Sequence, residues 1–301
     1  MKPPQNISIT GATGFLGPYV IKAAIAQGYA VKLLVRNPAK VPADLSAKVQ
    51  ILKGHLSDIP PSFTEGADVV LHMAALIKAP SRSAFYAVNA GGTKNLAAQA
   101  QSGGAARFIY LSSQAASQPH LSGYAASKQA GETALQETFT RERVIIRAPA
   151  VFGPGDEATA PFFTFMKRGL LPVPGGKGWA ERKLSLIYAP DLARFIAEQI
   201  AAPTPPLAPL YPASVASLTW RDFAGAASEV MGREIKPLPL PLPLLKTIAG
   251  VNSALLRRAF NPHLTLGKLS EFLYEDWSVD STLESPTSFK TALRETFSAQ
   301  I

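Results

Sequence analysis

The chain of 301 residues has no cysteine. That excludes disulfides and thiolate metal sites, and with them a secreted disulfide framework. Histidines number four, and no pairing of histidines with carboxylates suggests a ligand set, so no metal is expected. No run of about 18 apolar residues occurs, which argues against a spanning helix. The opening MKPPQNISIT lacks the long apolar segment of a signal peptide, so a cytoplasmic protein is expected. Acids are scarce: 21 Asp+Glu stand against 30 Lys+Arg, a net charge of +9. The imbalance sits in residues 1–150, with 15 Lys+Arg against 7 Asp+Glu, while residues 151–301 carry 15 against 14. A basic half suits an anionic ligand. The signatures of nucleic-acid modules are missing, so nucleic acid is not an expected partner. There is no fixed-period internal repeat.

What is present is alternation. Short apolar runs at Ile7–Thr10, Val31–Val35, Val49–Leu52, Val69–His72, Phe108–Leu111 and Val144–Ile146 read as strands. Between the first two, Leu16, Val20, Ala23, Ala24 and Gln27 fall at helical spacing, with Gly28 as a stop. Longer helices are expected over Ser83–Ala100 and Tyr124–Thr140. Such alternation predicts an α/β fold with a doubly wound parallel sheet over residues 1–150. After residue 150 prolines gather in AAPTPPLAPLYP and KPLPLPLPLL, and helical patterns return near Trp220–Met231, Leu244–Ala259 and Leu264–Leu273. Residues 151–301 are expected to form mostly a smaller substrate-binding cap, with some segments returning to the first domain. The Leu/Pro alternation from Pro237 to Leu245 reads as a packed connector before a helix, with a membrane-touching lip as the alternative.

Gly11, Gly14 and Gly17 follow the first strand in the spacing GxxGxxG and open a helix expected from Phe15. A helix amino terminus offers free N–H groups and partial positive charge, which suits a pyrophosphate, and glycines let the backbone approach it. The second strand ends in LLVRNPAK. Where a cofactor with a free ribose 2′-hydroxyl would call for an acid, Arg36 stands, with Lys40 close behind; this favours a 2′-phosphate and therefore NADP(H) over NAD(H). Tyr124 and Lys128 form YxxxK, one helical turn apart on one face. A lysine beside a phenol favours the phenolate, so the tyrosine can exchange a proton near neutral pH. Ser112 and Ser113 end the strand FIYLSSQ, where a hydroxyl can reach the same substrate oxygen.

These pieces, with HMAA (His72–Ala75), VNAGGTKNL (Val88–Leu96) and VFGPGD (Val151–Asp156), resemble the extended short-chain dehydrogenase/reductase family, often labelled NAD-dependent epimerase/dehydratase, over nearly the whole chain. The resemblance implies a pyrophosphate turn of Gly11, Thr13, Gly14, Phe15, Leu16 and Gly17. It implies that Met73, Ala74 and Ala75 line the adenosine and pyrophosphate path, that Asn89 lies near the cofactor, and that Pro149, Ala150 and Val151 pass the nicotinamide. Of the two serines it selects Ser113 as catalytic beside Tyr124 and Lys128, with Ser112 as a control, and it gives Lys128 the nicotinamide ribose as well. It implies a homodimer through the two long helices.

The chain also departs from the family. His55, followed by Leu56, replaces an acid expected near adenine; Pro190 precedes Asp191, which is expected to cap a helix. Ala150 stands where sugar-nucleotide enzymes carry Asn, and Gln114 and Ala115 replace the acid pair of dehydratases. With LLVRNPAK and DWSVDSTL, these features resemble the dihydroflavonol-reductase and 3β-hydroxysteroid-dehydrogenase side. Phe162, Phe163, Phe165, Leu170, Leu171 and Trp179 are expected near an apolar substrate mouth. The expected function is NADP(H)-dependent interconversion of an alcohol and a carbonyl on a small hydrophobic molecule. A sugar-nucleotide epimerase or dehydratase and a non-catalytic NADP-binding regulatory protein are the alternatives.

Overall fold

The computed structural model describes residues 4–256 and 264–299. In chain order its elements begin with β1 (Asn6–Thr10), α1 (Gly17–Ala26), β2 (Ala30–Val35), α2 (Ala43–Ser46), β3 (Gln50–Lys53) and β4 (Val69–His72). Next come α3 (Arg82–Tyr86), α4 (Gly92–Ser102), β5 (Arg107–Ser113), α5 (Gly123–Thr138) and β6 (Glu142–Ala148). All six strands are parallel, in the order β3-β2-β1-β4-β5-β6. Every residue of β4 is buried, as in a strand covered on both faces, and Val69–Leu71 is a continuous apolar run ended by His72. The order reverses between β1 and β4. Ligands of such sheets bind beyond the carboxyl ends of the strands at that switch point.

The helix expected over Ser83–Ala100 runs from Arg82 to Ser102, but a π-helical turn, Ala87–Gly91, interrupts it. Gly92 follows that turn because Leu56 packs there; a Cβ would lie 2.8 Å from Leu56 Cδ1. Buried Arg107 pairs with Glu142 at 2.6 Å and donates to the carbonyls of Gln199 and Ile200. Those carbonyls close α7 (Ala189–Ala201), and the segment Leu192–Leu210 packs with this first unit, which otherwise comprises residues up to Pro119 and Gly123–Ala148.

The second unit holds His120–Ser122, Pro149–Asp191 and the chain from Tyr211 onward. Its elements are β7 (Ala150–Phe152), α6 (Ala160–Met166), β8 (Leu170–Pro174), β9 (Lys183–Tyr188), β10 (Val215–Thr219), α8 (Trp220–Met231), β11 (Lys236–Leu240), α9 (Leu242–Leu256), α10 (Leu266–Leu273) and α11 (Phe289–Ser298). They include a three-stranded sheet, β10-β9-β7, and a pair, β11-β8. A capping box starts α8: Thr219 Oγ1 accepts from Asp222 N at 3.2 Å and Asp222 Oδ2 from Thr219 N at 3.0 Å. Gly232, at φ 62°, ends it. The helical pattern expected to Ala259 is described only to Leu256; residues 257–259 lie outside the described residues.

Most of the aromatics expected at a substrate mouth belong instead to this unit's core. Phe163 and Leu171 are buried with Met166, Trp220 and Phe297, and Phe162 and Trp179 pack against them. Phe163 meets Phe297 edge-on at 4.6 Å, and Phe162 stacks on Trp220 at 6.5 Å. Only Phe165 is exposed among the six. A small domain needs these side chains to close its own interior, and the sequence pattern alone does not separate that use from a pocket wall.

Candidate active site

The three glycines do different work. A Cβ on Gly11, which has φ 82°, would lie 2.7 Å from Ala74 N and from Met73 C. The loop after β4 thus rests on bare backbone after β1, held by Met73 N to Thr10 O at 3.2 Å and Ala74 N to Thr10 Oγ1 at 3.3 Å. A Cβ on Gly17 would lie 2.0 Å from Ala12 O. Gly17→Ala therefore forces the turn open, and an expected loss of roughly 1–3 kcal/mol would appear as a lower urea midpoint; an unchanged midpoint would contradict the packing. Gly14 meets only Gly11 O, at 3.4 Å. Packing explains Gly11 and Gly17 and leaves Gly14 and Thr13 exposed.

The helix begins at Gly17 and not at Phe15, because two tight turns, Gly14 N to Gly11 O and Gly17 N to Gly14 O, come first and Pro18 then opens α1. Phe15 packs edge-on against Tyr19, and Leu16 is in the core. Arg36 sits just past β2, exposed, with no described residue pairing its charge; Lys40 ends the short 3-10 turn Pro38–Lys40 and is exposed too. His55 is exposed in a tight turn with Asp58, closed by hydrogen bonds of 3.2 and 3.0 Å, while Leu56 packs inward.

Asn89 is buried, and its amide is engaged by the protein. Oδ1 accepts from Leu76 N at 2.8 Å, and Nδ2 donates to Leu76 O and to Ser127 Oγ, both at 2.9 Å. The side chain fastens the loop that carries Met73, Ala74 and Ala75 to α5. His72 is fully buried between Thr10 and Thr93, and burial pushes its pKa down to about 3, which leaves a neutral ring that clamps two threonines.

Ser113 ends β5, half-buried, with Oγ accepting from Ala115 N at 3.2 Å. Tyr124 is in the first turn of α5, its ring tilted against Phe85 at 6.1 Å. Lys128 follows on the same face, 1% exposed. Its Nζ donates to Leu111 O at 2.8 Å and lies 4.1 Å from the Tyr110 ring centre. Burial pushes Lys128 down to about 7, against the pull of the Glu132 carboxylate. Sequence reading missed Glu132 and Arg147. Glu132 takes charge-assisted contacts from Arg147 at 2.6, 3.0 and 3.3 Å, and accepts from Ser112 Oγ at 2.5 Å. The available signal was the i+4 step from Lys128 to Glu132. Ser112 is therefore no neutral control: its loss would remove a donor from a buried carboxylate.

The lysine's shift has a sign that can be checked. Its folded pKa of about 7 lies below the free value of 10.5, so the unfolded chain binds the extra proton between them. The cost to folding is full below pH 7 and fades as pH rises toward 10.5. Lys128→Met has no such titration, so the stability of the native protein should gain on it across that window. Urea melts of both proteins check this; a difference that does not move with pH would contradict the burial.

Pro149 precedes β7, and Ala150 and Val151 lie in it, Ala150 opposite Leu186 and Val151 opposite Ile187 of β9, so all three group with the second unit. Asp191 lies inside the first turn of α7 and accepts from Ser214 Oγ at 2.6 Å and from Thr287 N and Oγ1. Among the described residues no cluster of metal-binding side chains occurs, and no helix is long and apolar enough to cross a membrane.

Residues 7–205 match the NAD dependent epimerase/dehydratase family. A ceramide reductase of Caulobacter vibrioides (strain NA1000 / CB15N) is 34% identical over 279 residues, covering 91% of this chain and 86% of that protein. A UDP-glucose 4-epimerase of Vibrio cholerae is 30% identical over 229 residues, 67% of this chain and 68% of that one. A solved UDP-N-acetylglucosamine 4-epimerase from Methanobrevibacter ruminantium M1 superposes with a TM-score of 0.75 over 99% of this chain and 98% of that one, at 19% identity, a likeness of fold. With the six-stranded parallel sheet and the glycine turn at its switch point, these matches establish that the chain belongs to the NAD dependent epimerase/dehydratase family of NAD(P)-dependent enzymes.

Proposed function

We propose that the chain is an NADP(H)-dependent oxidoreductase that interconverts an alcohol and a carbonyl on an apolar or amphiphilic molecule. The observation that carries this reading is the buried Lys128, held at the end of β5 by Leu111 O, one turn from Tyr124 and beneath the strand end that presents Ser113. When bound, the dinucleotide supplies a hydride in reduction and accepts one in oxidation. In reduction Ser113 Oγ and Tyr124 Oη donate to the substrate carbonyl oxygen, and Tyr124 passes it the proton. Lys128 steadies the resulting phenolate and holds the ribose hydroxyls. The turn from Gly11 to Gly17 takes the pyrophosphate on backbone N–H groups, Arg36 and Lys40 take the 2′-phosphate, and His55 and Leu56 border the adenine. Asn89 acts by fastening the Met73–Ala75 loop.

The relative named a ceramide reductase supports an amphiphilic carbonyl as substrate. The second reading, a sugar-nucleotide epimerase, is supported by the Vibrio cholerae relative. Ala150 stands against it, because a methyl group cannot donate to a nucleotide phosphate. NADPH oxidation across a panel separates the two. A ketone-bearing ceramide, a steroid ketone or an aromatic ketone should be reduced in preference to nucleotide keto-sugars. Reaction of the keto-sugars alone would overturn the proposal.

A further inference from the structure

Residues 69–131 contain no acid and five cations: Lys78, Arg82, Lys94, Arg107 and Lys128. The carboxylate that ends this stretch, Glu132, is 4% exposed and is the one buried acid among the described residues of the first unit. It stands at i+4 from Lys128 on α5, where two residues share a face. Neighbouring residues of β5 meet the two side chains: Lys128 Nζ donates to Leu111 O, and Glu132 Oε1 accepts from Ser112 Oγ. Arg147 of β6 donates to both carboxylate oxygens. A buried ion pair seldom gains stability over apolar side chains of the same volume. Fastening α5 to the sheet therefore does not by itself call for a charge here.

Lys128 has little else to favour its ammonium. Its Nζ meets one carbonyl and the face of the Tyr110 ring. His72 on β4 is held neutral by burial, and burial likewise raises the Tyr110 phenol and keeps it neutral. Tyr124 stands one turn earlier on α5. On α3, Arg82 donates to Tyr86 Oη at 3.3 Å, and on α4 Lys94 is exposed. The 3-10 turn Gln114–Ser117 and the π-helical turn Ala87–Gly91 carry no charge. At the opposite ends of β5 and β6, Arg107 pairs with Glu142, and Arg143 donates to Phe139 O. Of all these groups only Glu132 pulls Lys128 toward its charged form.

We propose that Glu132 is a positioning residue of the oxidoreductase site: its carboxylate, fixed by Arg147 and Ser112, keeps the Lys128 ammonium charged one turn from Tyr124. The role rests on the oxidoreductase reading, because it acts through Lys128 on the tyrosine, but the charge on the lysine is measurable without turnover. NMR of protein labelled at lysine Cε, with the Lys128 signal assigned by its loss in Lys128→Met, follows that titration. Glu132→Gln keeps the side-chain shape and an oxygen for Ser112 and removes the charge. Lys128 should then titrate at least about one pH unit below its native value. The double variant Glu132→Gln with Arg147→Met leaves no lone buried charge, which keeps the test readable if the single variant does not fold. It should move Lys128 in the same direction, since the carboxylate is the charge that acts on it. A packing role alone predicts the opposite sign: a loosened site admits water, relieves burial and lets the lysine rise toward 10.5. Lys128 titrating at or above its native value in the folded variants would overturn the proposal. NADPH oxidation with an apolar ketone, followed alongside, should fall about tenfold in Glu132→Gln, with the alkaline limb of its pH profile moved down together with the lysine. A lysine that moves as expected in a protein that turns over no ketone would overturn the oxidoreductase reading and leave Glu132 as the group that keeps Lys128 charged.

Discussion

Tyr124→Phe is expected to lower ketone turnover by about a hundredfold or more while NADPH binding stays within about twofold. The substitution removes one oxygen and keeps the ring, so the 6.1 Å contact with Phe85 survives. The loss falls on the proton alone. Neither neighbouring hydroxyl is placed to replace it: Ser112 is turned toward Glu132 of α5, and Ser113 has no lysine of its own one turn away. Stopped-flow turnover with a parallel NADPH fluorescence titration reads both quantities. Near-native turnover would remove Tyr124 from the chemistry.

Arg36→Asp is expected to erase or reverse a preference for NADPH over NADH. In the native protein the exposed guanidinium has no described partner, so a 2′-phosphate displaces no protein contact. A charge-assisted contact of this kind contributes about 1.5–3 kcal/mol, roughly ten- to a hundredfold in affinity. An aspartate there repels the phosphate and accepts from a free ribose hydroxyl. Paired titrations of both cofactors against both proteins measure the effect. Equal affinities of the native protein for NADPH and NADH would contradict it.

The first unit was legible because its signals are local. The run Val69–His72 is the strand β4 residue for residue, and Ile7–Thr10 lacks only Asn6 of β1. Buried parallel strands are continuous apolar runs, and their ends are where periodicity stops. The start of α1 shifted by two residues because turn hydrogen bonds compete with the helix, which periodicity does not register. The engagement of Asn89 by Leu76 and Ser127, and the cluster of Glu132, Arg147 and Ser112, join elements far apart in sequence. No spacing rule displays them.

The second unit was harder to read. KPLPL became β11, paired in parallel with β8, although proline cannot donate to a ladder. Alternation resolves the conflict: Pro237 and Pro239 share one direction, and Lys236, Leu238 and Leu240 keep their N–H groups. Phe163 and Leu171 could be read as pocket or core, and burial decided for core.

Transfer of deuterium from the nicotinamide C4 of labelled NADPH to an apolar ketone tests the central claim most directly. A reductase consumes the cofactor in proportion to product and leaves one deuterium on the new alcohol carbon. An epimerase returns the hydride to the substrate and shows no net oxidation. Mass spectrometry of the product from a ketone-bearing ceramide, with NADPH followed at the same time, should show one deuterium per alcohol formed and one NADPH lost. Unlabelled product, or turnover confined to nucleotide sugars with NADPH unchanged, would contradict the account.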